Sequence, residues 1–272
     1  LLLVLAAGTV YFWMQPQAPA AGVSTRILLL GLDEVEGRSR SDTLIVAQVD
    51  DQGVVLLSVP RDLRVKLPDG QFGKVNAAFS MGAQGGDAHQ GGEAARRVVA
   101  DFLGVDIPYY LVVDFEGFRS VVDQLGGVEI EVESAMDYDD EAQNLHIHLR
   151  PGLQTLDGQQ ALDYARFRDA AGDLRRIQRQ QKLIKAILQK QAQSLNTLDQ
   201  IRALLEIAFT QIRATNLPLP DLVGLARQLQ GVDIGNTATV SLDGQLTNIG
   251  GVSYLEPRIV RTTALFDRWL RR

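Results

Sequence analysis

The chain contains no cysteine. Disulfide staples, thiolate metal sites and thiol nucleophiles are therefore excluded, which fits a compartment where thiols are a liability. Histidine is scarce as well, with three in 272 residues. His146 and His148 alternate within one short stretch, and His89 stands in a glycine-rich one. No G-x-S-x-G elbow accompanies them, so a Ser–His hydrolase finds no support. The GxxxxGK[ST] loop and a G-x-G-x-x-G turn between strand and helix are both missing, which removes two common phosphate cradles. A basic balance is lacking too. The formal charge is −6, whereas nucleic-acid binders carry a broad basic surface, so no nucleic-acid partner is expected.

Long apolar runs are absent except at the start, "LLLVLAAGTVYFWM", with Tyr11 and Trp13 where interfacial aromatics belong. A full span needs about 20 apolar residues. Residues 1–14 read as the outer part of a transmembrane helix, truncated because its beginning precedes the sequence. Alternatives are a signal peptide cleaved near "APAAG" and a buried helix. Residues 15–25, with two prolines, read as a linker, and 26–272 as one domain.

The remainder has an ordinary globular composition, 46% hydrophobic and 22% charged. "RILLLGLD" is a buried strand. "DTLIVAQVD" and "GVVLLSVP" are two more, joined as a hairpin by the turn from Asp50 to Gly53. Residues 69–92 read as a glycine-rich loop, and Glu93 to Leu103 as a helix. "IPYYLVVD" is a strand, and Phe115 to Leu125 a helix stopped by Gly126 and Gly127. "VEIEVE" alternates, as a strand with one wet face does, and "NLHIHL" is its expected partner. "ALDYARFR" is extended or helical; if extended, Tyr164, Arg166 and Arg168 share a face. Asp173 caps a long helix from Leu174 to about Ser194, with an apolar stripe of Ile177, Leu183, Ile184, Ile187 and Leu188. Helices around 197–213 and 219–230, a late strand in "TATVSLDG" and a helix over 258–270 complete the chain. The interspersed elements predict an α/β (α+β) fold, with a central mixed sheet flanked by helices.

Charge is concentrated where the overall balance gives no hint of it. "YARFRDAAGDLRRIQRQQK", Tyr164 to Lys182, holds six basic residues against Asp169 and Asp173. Three further polar clusters follow strands: Asp33; "RSRSDT", with Arg38, Arg40 and Asp42; and "SVPRD", with Arg61 and Asp62. Lys74 lies in the next loop. Singly, each has an ordinary explanation as a turn residue, a cap or a surface ion pair worth less than about 1 kcal/mol. Together they suit a compact anion. The planar donors of arginine match two phosphate oxygens at once, and several arginines are needed to desolvate a pyrophosphate. Two aspartates nearby would oppose that anion unless a hard cation lay between, and magnesium favours one or two carboxylates plus phosphate oxygens. Asp33 and Asp42 fit that description.

These stretches resemble the LytR-CpsA-Psr family of bacterial cell-envelope proteins. The resemblance is carried, in family order, by "LLLGLDEVEGRSRSDTLIV", "LLSVPRDLRV", "GKVNAAFS", "FEGFRSVVDQLGGVEIEV", "LRPGLQTLDGQQALDYARFRDAAGDLRRIQRQQKLI" and "GVSYLEP". It implies a membrane-anchored phosphotransferase, single-pass, with its catalytic domain (26–272) outside the cytoplasmic membrane. The reaction implied moves a glycan phosphate from a polyprenyl-pyrophosphate carrier to a sugar hydroxyl of peptidoglycan or another wall acceptor, forming a phosphodiester. Magnesium, or another divalent cation, is the implied cofactor, and the lipid tail is expected in an apolar tunnel between sheet and helices. By motif, Asp33 and Asp42 are the metal-binding pair. Arg61, Asp42 and Arg166 are catalytic, with Asp42 taking the hydroxyl proton. Arg40, Lys74, Arg168, Arg176, Arg179 and Gln180 bind the pyrophosphate. The sequence departs from the family where Arg175 stands in place of a glycine. A polyprenyl-pyrophosphate phosphatase and a non-catalytic lipid-phosphate binder are the alternative readings. The apolar stripe on the long helix fits an ordinary core as well as a tunnel.

Overall fold

The computed structural model describes residues 24–35, 38–50, 53–141, 145–169, 173–194, 210–230, 232 and 234–258. The membrane helix expected over residues 1–14 lies outside these residues. So do nearly all of the linker, the 258–270 helix and most of the one expected over 197–213. Among the described residues no helix is long and apolar enough to cross a membrane.

Strands β1 (Thr25–Val35), β2 (Arg38–Asp50) and β3 (Gly53–Ser58) form an antiparallel meander, with the expected hairpin between β2 and β3. After β3 come a small hairpin, β4 (Arg64–Lys66) and β5 (Phe72–Lys74), a short helix α1 (Ala77–Gly82) and helix α2 (Ala88–Leu103). β6 (Tyr109–Val113) returns parallel to β1. Then follow α3 (Phe115–Gln124), β7 (Val128–Val132), β8 (Met136–Asp140), β9 (Leu145–Leu149), β10 (Gly152–Leu156), α4 (Gly158–Arg166) and α5 (Asp173–Ser194). β11 (Ala214–Thr215), α6 (Leu219–Gln230), β12 (Ala238–Ser241) and the hairpin β13 (Gly244–Ile249) and β14 (Val252–Pro257) complete the described chain. The central sheet has the order β11-β6-β1-β2-β3-β12 and is mixed: β6 and β12 run parallel to their neighbours β1 and β3.

Strand alternation divides the core. Leu28, Leu30, Leu32, Leu44 and Val46 face α2, packing with Val98 and Val99. Ile27, Ile45, Ala47 and Val49 face the other way, onto Leu225 of α6, with Ile184 and Leu188 of α5 beside them. Both faces of the sheet are covered, which is why its strands read as continuous apolar runs. Gln181 of α5 fastens the second layer. Its amide donates to Ser58 Oγ (2.9 Å) and to the Val240 carbonyl (2.7 Å).

Two expectations are corrected, and one left open is settled. The stretch 69–92 is structured: it holds β5, α1 and the first turn of α2, which Asp87 caps by accepting from the amides of His89 (2.9 Å) and Gln90 (3.1 Å). Its glycines partly serve close packing. A Cβ at Gly92 would stand 2.4 Å from the Tyr110 ring. The "NLHIHL" strand pairs with β8, and β7 pairs instead with β10. Alternation marks a wet face but does not choose the partner strand. His146 and His148 are spent on β8, bonding Asp139 (2.7 Å) and Asp137 (2.6 Å) at the surface. "ALDYARFR" is helical through Arg166, held by a capping box of Asp157 and Gln160. Tyr164 therefore does not share an extended face with Arg166 and Arg168. It is buried, and its hydroxyl donates to Glu133 (2.9 Å).

Candidate active site

The sequence places Asp33 two residues beyond Gly31 and four beyond Leu29 on β1, so the three share one face of the sheet. Asp42 would face the opposite side were β2 regular. The register shifts between Gly31 and Leu32: Gly31 pairs Thr43 and Leu32 pairs Ser41, leaving Asp42 unopposed. This is a β-bulge, which re-aims a side chain where a ladder is interrupted. Both carboxylates consequently line one cavity of about 670 Å³, together with Arg40, Arg61, Asp62 and Lys74. Arg40 sits opposite Asp33 in the ladder and is exposed.

Arg61 reaches this cavity from the turn after β3, where the Leu63 amide bonds back to Pro60 (3.0 Å). Its Nη1 donates to Asp42 Oδ2 at 2.5 Å. The β4–β5 hairpin brings Lys74 alongside: Asn76 N bonds the Arg61 carbonyl (3.3 Å), and Lys74 Nζ bonds Asp62 Oδ1 (2.6 Å). Asp62 thus orients the lysine, a role that its place in "PRD" did not disclose.

The third contribution comes from α4, α5 and the turn between them. Arg166 stacks on the Phe115 ring, its guanidinium carbon 4.6 Å from the centroid. Arg168 is exposed just beyond α4. Arg176 is buried on the first turns of α5, its Nη2 on Asp173 at 2.7 Å. The electrostatics tie these groups to the aspartates. The Asp33 carboxyl is pushed above its ordinary range, first by burial. Asp42 adds to that push, while Arg166 most strongly, then Arg168 and Arg61, oppose it. The Arg176 guanidinium is pulled below its ordinary value, first by burial. Arg168 and Arg61 pull the same way, against Asp173 and Asp42. Arg61, Arg166, Arg168 and Arg176 thus stand within electrostatic reach of one aspartate pair. Buried Nε atoms of Arg61 and Arg176 have no hydrogen-bond partner in the protein. Buried donors are normally satisfied, and Arg61 lines the cavity that holds both acids.

Arg179 and Gln180 are placed differently. Arg179, one helical turn on from Arg176, is buried and turned to the chain just past α4. It donates to the Phe167 carbonyl (2.7 Å) and to Asp169 Oδ2 (2.6 Å) and lies over the Phe167 ring at 5.1 Å. It braces the segment that carries Arg168. Replacing Arg179 with Ala leaves that carbonyl and carboxylate short of a donor, and a thermal melt should register a loss of about 1–3 kcal/mol. A melt unchanged within experimental error would contradict this bracing role. Gln180 Nε2 reaches the Ala165 carbonyl (3.4 Å). Arg175, where the resemblance implies a glycine, is an exposed residue inside α5. The position is helical, so no left-handed backbone is asked of it.

Next to the charged cavity an apolar cleft of about 290 Å³ opens between the sheet and helices α3, α4 and α5. Leu29, Gly31 and Thr43 form its sheet wall, and Phe118, Ile184 and Leu188 belong to its helical side. Arg166 and Gln180 are among its few polar lining groups. Because Asp33 continues the Leu29–Gly31 face, the cleft leads to the carboxylates.

The two aspartates fit a hard cation that draws its other ligands from phosphate and water. Among the described residues no group of three or more His, Asp or Glu could hold a metal ion by itself.

The LytR_cpsA_psr family model matches residues 14–268 of this chain. Polyisoprenyl-teichoic acid–peptidoglycan teichoic acid transferase TagV of Bacillus subtilis (strain 168) is 30% identical over 246 residues, covering 85% of this chain and 60% of that protein. A solved structure of B. subtilis TagV superposes with a TM-score of 0.76 at 29% identity, over 90% of this chain and 95% of the other. TagT bound to LI-WTA gives a TM-score of 0.73 at 25% identity, with 94% of each chain covered. Regulatory protein MsrR of Staphylococcus aureus (strain COL) is 36% identical over 167 residues, 59% of this chain and 47% of that protein. The chain thus spans about half to three-fifths of the length of these two curated relatives.

Proposed function

Because this chain belongs to the LytR-CpsA-Psr family, we propose that it transfers a glycan phosphate from a polyprenyl-pyrophosphate carrier to a sugar hydroxyl of peptidoglycan, forming a phosphodiester. One arrangement carries the reading: Arg40 and Arg61 line one cavity with Asp33 and Asp42, and Arg166, whose charge acts on Asp33, lines the apolar cleft beside it. That arrangement suits a molecule with a pyrophosphate between a lipid and a polar chain. TagV, named as a polyisoprenyl-teichoic acid–peptidoglycan teichoic acid transferase, supports the donor and acceptor classes.

In the proposed reaction the arginines bind the diphosphate and neutralise charge that develops on the departing lipid phosphate, the main requirement of phosphoryl transfer. The acceptor hydroxyl forms a new bond to the phosphorus bearing the glycan. The bond from that phosphorus to the bridging oxygen breaks, and lipid phosphate leaves with the bonding pair. The hydroxyl proton passes to Asp42, which Arg61 holds in place. Magnesium, held by Asp33 and Asp42, would supply further neutralisation of the phosphate oxygens. Lys74 and Arg40 bind outlying oxygens from the open side. The cleft takes the proximal part of the lipid, consistent with a domain lying against the outer face of a membrane.

The test supplies the purified protein with a polyprenyl-pyrophosphate-linked glycan and soluble glycan strands, and follows both products. The expected result is a strand-linked phosphodiester in amounts equal to the lipid phosphate released, with chelation of magnesium stopping both. Release of lipid phosphate without glycan attachment would replace this reading with the phosphatase one.

A further inference from the structure

On the far side of the β4–β5 hairpin from the charged cavity lies a groove of about 1240 Å³, walled by that hairpin, α2 and the end of β14. Its volume exceeds the roughly 300–1,000 Å³ of ordinary small-molecule pockets. Leu67, in the hairpin loop, lines both the groove and the charged cavity. The two spaces are neighbours, and the proposed reaction leaves this one without an occupant.

The character of the lining is specific. Phe72 is 59% exposed at the groove. Its ring lies 4.5 Å from the Arg64 guanidinium carbon, and Tyr254 approaches the same group at 6.0 Å. Arg64 Nη1 also bonds Glu256 Oε1 (3.0 Å). A largely exposed aromatic ring thus stands at the groove with a guanidinium over one face. The charges balance: Arg64, Lys66 and Arg97 line the groove against Glu93, Asp101 and Glu256. Several are already paired, Arg97 with Glu93 at 2.7 Å as well as Arg64 with Glu256. Such a surface offers planar hydrogen-bonding groups without a net field.

We propose that this groove binds the acceptor, as a neutral chain of pyranose sugars. Sugar hydroxyls pair with planar carboxylate, amide and guanidinium groups, each of which offers two hydrogen-bonding positions. The C–H face of a pyranose packs on an aromatic ring. With Arg64 and Arg97 already paired to carboxylates, the lining has no net positive charge to hold a polyanionic chain such as a phosphate-linked donor polymer. Approach also decides between donor and acceptor. Attack at phosphorus runs in line with the departing group, and the lipid cleft lies on the opposite face of the sheet from α2. A nucleophile arriving from the α2 side stands opposite the departing lipid phosphate. The inference rests on the transferase reading only in calling the occupant an acceptor; the binding itself is independently measurable.

The experiment measures equilibrium binding of the purified protein to three probes by calorimetry: chitohexaose, a neutral N-acetylglucosamine chain; a poly(glycerol phosphate) of similar length; and farnesyl pyrophosphate. The wild type is expected to bind chitohexaose, with Phe72→Ala weakening it about tenfold and Phe72→Trp preserving it. Farnesyl pyrophosphate affinity should be the same in all three proteins. The exposure of Phe72 makes its loss harmless to folding, which unchanged lipid-pyrophosphate binding would verify. The proposal is overturned if the wild type does not bind chitohexaose, if Phe72→Ala binds it as well as the wild type, or if poly(glycerol phosphate) is the probe that Phe72→Ala loses. Failure to bind farnesyl pyrophosphate would instead count against the transferase reading, with the groove judged on the sugar alone.

Discussion

Arg61→Ala is expected to lower the transfer rate by about 10²–10³-fold while the protein stays folded. The guanidinium bonds Asp42 at 2.5 Å and lines the charged cavity, where it can donate to charge developing on the diphosphate. Removing one preorganised donor of this kind typically costs a factor of about 10²–10³ in kcat. Stability should change little, by about 1 kcal/mol or less, for two opposing reasons. The Arg61–Asp42 pair is partly exposed and so contributes modestly. Its Nε is buried without a partner, and deleting it removes an unsatisfied donor. Arg61→Lys separates charge from shape: a lysine restores the charge but not the two-pronged match to phosphate oxygens, so only part of the rate should return. Single-turnover kinetics with a lipid-linked donor, alongside a thermal melt, reads both quantities. Full activity in the alanine variant would remove Arg61 from the mechanism.

Ala165→Phe should produce the second large loss, this time by obstructing the lipid. Ala165 lies on α4 and lines the apolar cleft beside Arg166. A benzyl group there occupies much of a space of about 290 Å³ and displaces several methylenes of the tail. At about 0.8 kcal/mol per buried CH₂, three or four displaced methylenes amount to about 3 kcal/mol, or roughly 100-fold in affinity. The loss should fall on KM for a long-chain donor and leave a short-chain, water-soluble donor nearly unaffected. Equal losses with both donors would mean that the substitution had disturbed the helix rather than the cleft. Overpacking can itself cost about 1–3 kcal/mol of stability, so the short-chain control carries the interpretation.

Much of the architecture was legible because it is written at short range. The runs that became β1, β2, β3 and β6 are apolar and β-branched, and the Asp50–Gly53 turn announced the first hairpin. The stripe from Ile177 to Leu188 foretold α5. Legibility failed where the determining contact lies far along the chain. The β7 strand shows which face is wet but carries no mark of its partner β10. Glycines near Gly91 read as looseness, although the Phe79 and Tyr110 rings require their smallness. The β13–β14 hairpin, with the Tyr254 and Glu256 that approach Arg64, was not anticipated at all.

By itself, the sequence determined the order of the elements, the two-sided burial of the sheet and the store of arginines and aspartates, because periodicity and composition act between near neighbours. Tertiary structure alone decided which of those charges meet. Arg176 and Arg179 look equivalent in "RRIQRQ", yet one turn of helix sends the first toward Arg61 and Arg168 and the second to the Phe167 carbonyl and Asp169. A single unopposed residue in a ladder turned Asp42 into the cavity that Asp33 lines. The physical reason is that a charge is indifferent to its position along the chain. Its partners are fixed by the packing that brings Asp33, Arg61 and Arg176 together across more than a hundred residues of sequence.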